Sequence, residues 1–287
     1  MVFPGERSDR EKHHAPVKRV LVKYGGAAIA EPGDRARLMA DLRALHDQGH
    51  RVLVVHGAGP QMTALARRLG IEPAFRGGRR VTDEAMLEVV QMELAGRVST
   101  DLLAAALGAG LPALNLPAAA AGLVVARRRP PRLVPGWPDP VDFGLVADIE
   151  AIDGGPLRTL WNGGLLPILS SLVCTAGGRL LNLNADTLVS GLVRALPFDE
   201  LVYVADVPGV FADLEDPGSH LARIRVGELP GLIEGGAIRG GMIAKLDEIS
   251  GLLGPGLPRV FIVGRDEPSP VSSAIAGRPG RRTLIHA

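Results

Sequence analysis

Arg51-Val52-Leu53-Val54-Val55-His56-Gly57-Ala58-Gly59-Pro60 is an apolar run that ends in small residues and a proline. Residues 51–56 show no alternation of polar and apolar side chains, so the run reads as a strand covered on both faces. Pro60 suits the first turn of a following helix. Small residues before a helix start leave free N–H groups facing outward, which makes an anion site. Four more runs, at residues 17–23, 166–169, 201–205 and 259–263, have the same strand character. Between them, residues 35–48, 60–69, 84–107, 185–196 and 242–253 carry apolar side chains at helical spacing. Strands alternating with helices predict a mostly parallel sheet with right-handed crossovers. The expected fold is α/β, a three-layer αβα sandwich with two lobes. The lobes would divide near residue 180, into 17–180 and 181–287, with 1–16 as a flexible tail. Residues 74–81 and 126–149 are dense in Gly, Pro and Arg and read as hairpins or loops at the rim.

The bulk numbers exclude several function classes. A net charge of +1 argues against a nucleic-acid protein, whose footprint is a large basic excess. The triplet Arg127-Arg128-Arg129 reads as a solvated loop. Residues 1–16 contain no apolar core of a secretory signal. No run reaches the length of a membrane span. A single cysteine, Cys174, rules out an intrachain disulfide and fits a reduced, cytoplasmic setting. It lies beside an apolar run with no base nearby, so it reads as a buried thiol.

Four segments set glycines or caps beside a charge. In Lys23-Tyr24-Gly25-Gly26, glycines let the backbone approach a ligand and turn N–H groups towards an anion, and Lys23 adds a cation. Taken alone, the segment reads equally well as a tight turn with a surface lysine. His56-Gly57-Ala58-Gly59-Pro60 is neither a P-loop nor a dinucleotide fingerprint, and His56 reads as a packed strand-end residue. In Asn182-Leu183-Asn184-Ala185-Asp186, alternation puts both asparagines on one side. Plain N-capping accounts for one of these residues well and for all three less well. Gly240-Gly241-Met242-Ile243-Ala244-Lys245 places a lysine one turn into a helix, either on the surface or at a second phosphate cradle.

In this order the segments become specific. With Gly78-Arg79-Arg80-Val81-Thr82-Asp83, Val141-Asp142-Phe143-Gly144 and Asp206-Val207-Pro208-Gly209-Val210, they make residues 17–287 resemble the N-acetylglutamate kinases of arginine biosynthesis, in the amino-acid-kinase family. Aspartokinases favour a Lys-Phe-Gly-Gly-Thr opening and uridylate kinases a Lys-Xaa-Ser-Gly opening. The resemblance implies transfer of the γ-phosphoryl of ATP to the side-chain carboxylate of N-acetyl-L-glutamate. It implies that Lys23 and Lys245 neutralise charge from opposite lobes and that Asp186 holds both. Gly25, Gly26, Ala58 and Gly59 would offer N–H groups to phosphate and substrate, with Gly57 and Gly241 at the nucleotide. Arg80 would clamp the α-carboxylate and Asn182 the amino-acid portion, while the turn from Asp206 to Gly209 lines the nucleotide site. Mg2+ would come with ATP, held largely by phosphate oxygens and water, with no metal site built from side chains. The resemblance also implies a homodimer and, from the short N-terminal tail, no strong arginine feedback.

Two departures stand out. Ala58 replaces the second glycine of the family's His-Gly-Gly-Gly, and Leu114-Asn115-Leu116-Pro117-Ala118-Ala119-Ala120-Ala121-Gly122 replaces a Gly-Leu-Ser-Gly-Xaa-Asp-Gly stretch. The second reads first as a structural turn rebuilt with alanine, and otherwise as a shifted substrate. Two alternatives follow: a kinase for a related N-acylated acid such as acetylaminoadipate, and a non-catalytic metabolite sensor on the same fold.

Overall fold

The computed structural model describes residues 16–213, 215–235, 246, 249–254, 257 and 259–287. The strands are β1 (Arg19–Tyr24), β2 (Arg51–His56), β3 (Phe75–Arg76), β4 (Arg79–Arg80), β5 (Ala113–Pro117), β6 (Val124–Arg128), β7 (Ala147–Ile152) and β8 (Leu166–Ser170). After them come β9 (Leu172–Cys174), β10 (Leu180–Asn182), β11 (Glu200–Ala205), β12 (Val210–Phe211), β13 (His220–Leu221), β14 (Arg223–Arg225), β15 (Arg259–Gly264) and β16 (Arg282–His286). The helices are α1 (Pro32–Asp47), α2 (Gly59–Arg68), α3 (Glu84–Val89), α4 (Ser99–Gly108), α5 (Gly155–Asn162), α6 (Ala185–Ala195), α7 (Leu229–Glu234) and α8 (Pro270–Ala276).

Eight strands form the central sheet in the order β14-β16-β15-β11-β1-β2-β8-β5. From β15 to β5 every pairing is parallel; β16 runs antiparallel to β15, and β14 runs with β16. Burial explains the apolar runs: residues 20–24 of β1, 52–56 of β2 and all of β8 are buried. Helices cover both faces of such a sheet. Helix α1 packs on α4 and α8, while α6 packs on β1 and β2. The αβα sandwich and its mostly parallel sheet are therefore observed. The helix expected over 84–107 is continuous but not uniform, since a π-helical stretch, Val90–Val98, joins α3 to α4. The hairpin expected at 74–81 is β3–β4.

A second sheet, β10-β9-β6-β7, lies beside the first. A parallel bridge between Val146 and Asn182 ties the start of β7 back to β10. The chain between β5 and β6 turns through Ala120–Gly122, with Ala121 at φ 51, and carries no charged residue.

Two readings need correction. Cys174 is only half-buried, because it ends β9 at the sheet's rim. The arginine triplet is not a solvated loop: Arg127 and Arg128 end β6, and Arg129 is 5% exposed. The helix expected over 242–253 falls mostly outside the described residues, as do Gly241 and Lys245.

Candidate active site

Strand β1 lies between β11 and β2, with the sheet's strands from residues 51–170 on one side of it and those from residues 200–286 on the other. In open α/β sheets a ligand crevice forms at such a point, outside the carboxyl ends of the strands. The turns after β1 and β2 meet there. Gly57 N–H donates to Tyr24 O at 3.0 Å, and Gln61 Nε2 donates to Gly26 O at 2.7 Å. A side chain at Gly26 would place its Cβ 2.7 Å from Gln61 Oε1 and 3.1 Å from Ala58 Cα. A Cβ there would crowd both turns where they touch. Ala58 precedes α2 at φ −148 and ψ 34, outside the left-handed region, so the position does not demand glycine.

These turns floor a cleft of about 290 Å³. Lys23, Gly26, Gly57, Ala58 and Gly59 line it from β1, β2 and α2; Arg80, Asn182 and Asp186 line it from β4, β10 and α6. Eight of the residues singled out in the sequence thus converge on one cavity. It is not the largest on the protein. A cavity of about 680 Å³ lies beside β15 and β16 and contains none of the candidate site residues. Convergence of chemistry, not volume, identifies the cleft.

Lys23 and Asp186 meet within it, Nζ to Oδ1, at 2.7 Å. Lys23 is 8% exposed and lies 5.9 Å from the centre of the Tyr203 ring. The pair is an electrostatic contact without hydrogen-bond alignment. Asp186 takes its place from the start of α6, which Asn184 caps by accepting N–H bonds from Asp186 and Thr187 at 2.8 and 3.1 Å. Asn184 is therefore spent on capping. Asn182 and Asn184 both line the cleft, and Asn182 Nδ2 donates to buried Thr82 Oγ1 at 3.0 Å.

Arg80 reaches in from the β3–β4 hairpin. Its guanidinium lies 4.7 Å from the Phe75 ring centre and donates to Gly59 O at 3.1 Å and Thr63 Oγ1 at 2.8 Å. Among the described residues no carboxylate pairs with it. Burial lowers its pKa from the ordinary arginine value. Its charge is thus held in place with no carboxylate beside it among the described residues.

Gly25, Asp206 and Gly209 are not among the residues that line the cleft. Gly25 opens the turn after β1. Asp206 follows β11 and lies 3.7 Å from Arg265 Nε. Gly209 follows Pro208, with Thr283 and His220 packed around it. His56 is fully buried beneath the cleft, 3.4 Å from Ser99 Oγ, and burial pulls its pKa down to about 4. It is a neutral core residue, as the sequence indicated. Sequence reading missed Arg129 and Ser171, both of which line the cleft. Nothing in the string marks Ser171, and Arg129 was hidden in a basic triplet.

The sequence matches the amino acid kinase family over residues 18–263. The acetylglutamate kinase of Anaeromyxobacter dehalogenans (strain 2CP-C) is 41% identical over 260 residues, covering 90% of this chain and 96% of that one. The acetylglutamate kinase of Sorangium cellulosum (strain So ce56) is 41% identical over 262 residues, covering 91% and 92%. Among solved structures, N-acetylglutamate synthase from Neisseria gonorrhoeae, complexed with coenzyme A and N-acetyl-glutamate, superimposes with a TM-score of 0.77 at 24% identity. The match covers 94% of this chain and 59% of that one, and at such identity it speaks to the fold alone.

Proposed function

The chain belongs to the amino acid kinase family, and we propose that it transfers the γ-phosphoryl group of ATP to the side-chain carboxylate of N-acetyl-L-glutamate. The products are N-acetyl-L-glutamyl 5-phosphate and ADP, in arginine biosynthesis. One observation carries the reading beyond kinship. Lys23 and Asp186 pair at 2.7 Å in a cleft whose other wall bears Arg80 and Asn182.

An attacking carboxylate has an ordinary pKa of about 4.3, so at neutral pH it is already ionised. Its oxygen forms the new bond to Pγ while the bond from Pγ to the β,γ-bridging oxygen breaks. The electron pair leaves with ADP, and no proton has to move. The burial of His56 away from the cleft agrees with a reaction that needs no base. What remains is to bring an anion to a polyanion and to stabilise charge on the transferred group.

Lys23 supplies positive charge at the carboxyl end of β1, and Asp186 keeps it oriented. Lys245 supplies the opposing cation, and Gly241 lies in the same segment; both are outside the described residues. The N–H groups of Gly25, Gly26, Ala58 and Gly59 serve phosphate and substrate, and Gly57, whose own N–H is taken by Tyr24 O, stands at the nucleotide. Arg80 clamps the α-carboxylate with its planar fork. Asn182 holds the amino-acid portion, and Asp206 and Gly209 border the nucleotide. In this reading the lobe before about residue 180 holds the acid and the later one the nucleotide, with Asn182 and the glycine turns after β1 and β2 contributing across that division.

Mg2+ accompanies ATP. Among the described residues no group of three or more His, Cys, Asp or Glu side chains is placed to hold a metal. Phosphate oxygens and water suit an ion that dehydrates reluctantly. Among the same residues no helix is long and apolar enough to cross a membrane. A cytoplasmic homodimer is the form the family resemblance supports, and sedimentation analysis tests the dimer.

The function is tested by trapping the acyl phosphate as a hydroxamate, with N-acetyl-L-glutamate and N-acetyl-aminoadipate as parallel acceptors. A higher kcat/KM for N-acetyl-L-glutamate supports the assignment. Preference for the longer acid corrects it, and binding without ADP release replaces catalysis by sensing.

A further inference from the structure

Arg129 contrasts with Arg80 in the cleft. It is 5% exposed and lines the cavity, yet its charge is already matched. Nε donates to Asp148 Oδ1 at 2.7 Å, and Nη2 donates to Ala147 O at 3.2 Å. Among the described residues Nη1 has no hydrogen-bond partner.

The strand pairing fixes where this side chain stands. Arg128 pairs with Ala147 in the antiparallel β6–β7 ladder, which sets Arg129 opposite Val146. Arg129 N–H donates to Val146 O at 2.7 Å. Val146 in turn bridges to Asn182. Residues directly opposite on neighbouring strands project to the same face. Arg129, Val146 and Asn182 therefore form one row along the cleft wall, and all three line the cavity.

A purely structural role explains this arginine poorly. Burying the Arg129 guanidinium costs desolvation, and Asp148, whose side chain is 33% exposed, offsets that cost only from a partly solvated position. An unspent N–H facing a polar cleft has a use if a ligand accepts from it.

The two arginines also differ in charge balance. Arg80 has no carboxylate partner among the described residues and keeps a full positive charge for an anion. Arg129 is neutralised by Asp148 and offers donor capacity with little net charge. An N-acyl glutamate carries three acceptor groups: the side-chain carboxylate that reacts, the α-carboxylate, and the neutral carbonyl of the acyl group. The uncompensated guanidinium fits the α-carboxylate, and the compensated one fits the neutral carbonyl.

We propose that Arg129 reads the N-acyl group of the substrate, donating from Nη1 to the acyl carbonyl oxygen, with Asp148 fixing its orientation. This rests on the assignment of an N-acyl glutamate as acceptor and adds the residue that recognises its acylation.

The test pairs the enzyme with two acceptors, N-acetyl-L-glutamate and 2-propylglutarate, in which an alkyl chain replaces the acetamido group. A double variant, R129M/D148L, removes both charges together, so that neither is left buried alone. In the wild type, N-acetyl-L-glutamate is favoured. In the double variant that preference shrinks by about tenfold to a hundredfold, as loss of a charge-assisted hydrogen bond implies, and the change lies in KM rather than kcat. An unchanged preference, with both substrates losing activity in parallel, overturns the proposal. If the double variant does not fold, wild-type affinities decide: equal binding of the two acids overturns it, and at least about tenfold tighter binding of N-acetyl-L-glutamate supports it. A wild type that turns over no N-acetyl-L-glutamate overturns the functional assignment as well. Intact turnover with unchanged preference overturns the role of Arg129 alone.

Discussion

Lys23 on β1 and Asp186 on α6 are 163 positions apart in the chain, yet their charged ends lie 2.7 Å apart. The sheet places Lys23 at the carboxyl end of a central strand, and capping by Asn184 places Asp186 in the first turn of its helix. Neither position has freedom to drift, which is what a fixed charge at a phosphoryl-transfer site requires.

If the pair works as a unit, its two members are not independent. Lys23→Met should lower kcat by about a hundredfold or more, the usual cost of removing a transition-state contact. Asp186→Asn should also lower kcat, because Lys23 then loses its orienting charge. The double variant should be little worse than the poorer single one. ADP release at saturating substrate measures all three. Strictly additive losses would show that the residues act separately.

Much of this was legible in the string because the residues concerned sit where local rules bite. Lys23 ends an apolar run beside glycines, and Asp186 stands just after a capping asparagine. Arg80 lies in a short hairpin dense in glycine. Their elements emerged because β1, β2, β8 and β11 are buried on both faces and so read as unbroken apolar runs. Other elements lacked such a signal. Strand β10 has three residues, and β16 mixes Arg, Thr and His and pairs antiparallel with β15. Arg129 was illegible for a different reason. Its neighbours Arg127 and Arg128 suggest solvent, and only pairing with Asp148, nineteen positions on, takes it inside.

Arg80 gives a prediction about binding rather than rate. Its fork is fixed by Gly59 O, Thr63 Oγ1 and the Phe75 ring. Arg80→Lys keeps the charge but loses the planar, two-pronged geometry. KM for the acid should rise by roughly tenfold to a hundredfold while kcat changes by less than about threefold. Initial rates across acid concentrations separate the two effects, and an unaltered KM would remove Arg80 from the substrate site.

Gly144 links the turn before β7 to Asn182. It has φ 73, and a Cβ there would lie 2.3 Å from Thr82 O. Thr82 cannot yield freely: its N–H donates to Phe143 O, its carbonyl accepts from Leu145 N–H, and its Oγ1 accepts from Asn182 Nδ2. Gly144→Ala should therefore cost about 1–3 kcal/mol of stability and raise KM by disturbing Asn182. A urea midpoint and a KM both equal to wild type would contradict this.

His56 predicts how stability depends on pH. Burial pulls its pKa from 6.5 to about 4, against a smaller opposing effect from its hydrogen bond at Gly57. The unfolded chain therefore binds a proton between those values that the folded protein refuses. Stability from the neutral imidazole is fully present above pH 6.5 and is lost as pH falls towards 4. The shift corresponds to about 3 kcal/mol across that window. His50 and His220 are also pulled down by burial and act in the same direction. Urea midpoints measured from pH 7 to pH 4.5 should fall, and His56→Gln should flatten the slope without abolishing it. Its absolute stability at pH 7 is not the readout, since any substitution in the core carries its own packing cost. A slope as steep in His56→Gln as in the wild type would mean that His56 is already protonated in the folded protein, contrary to its burial beneath the cleft.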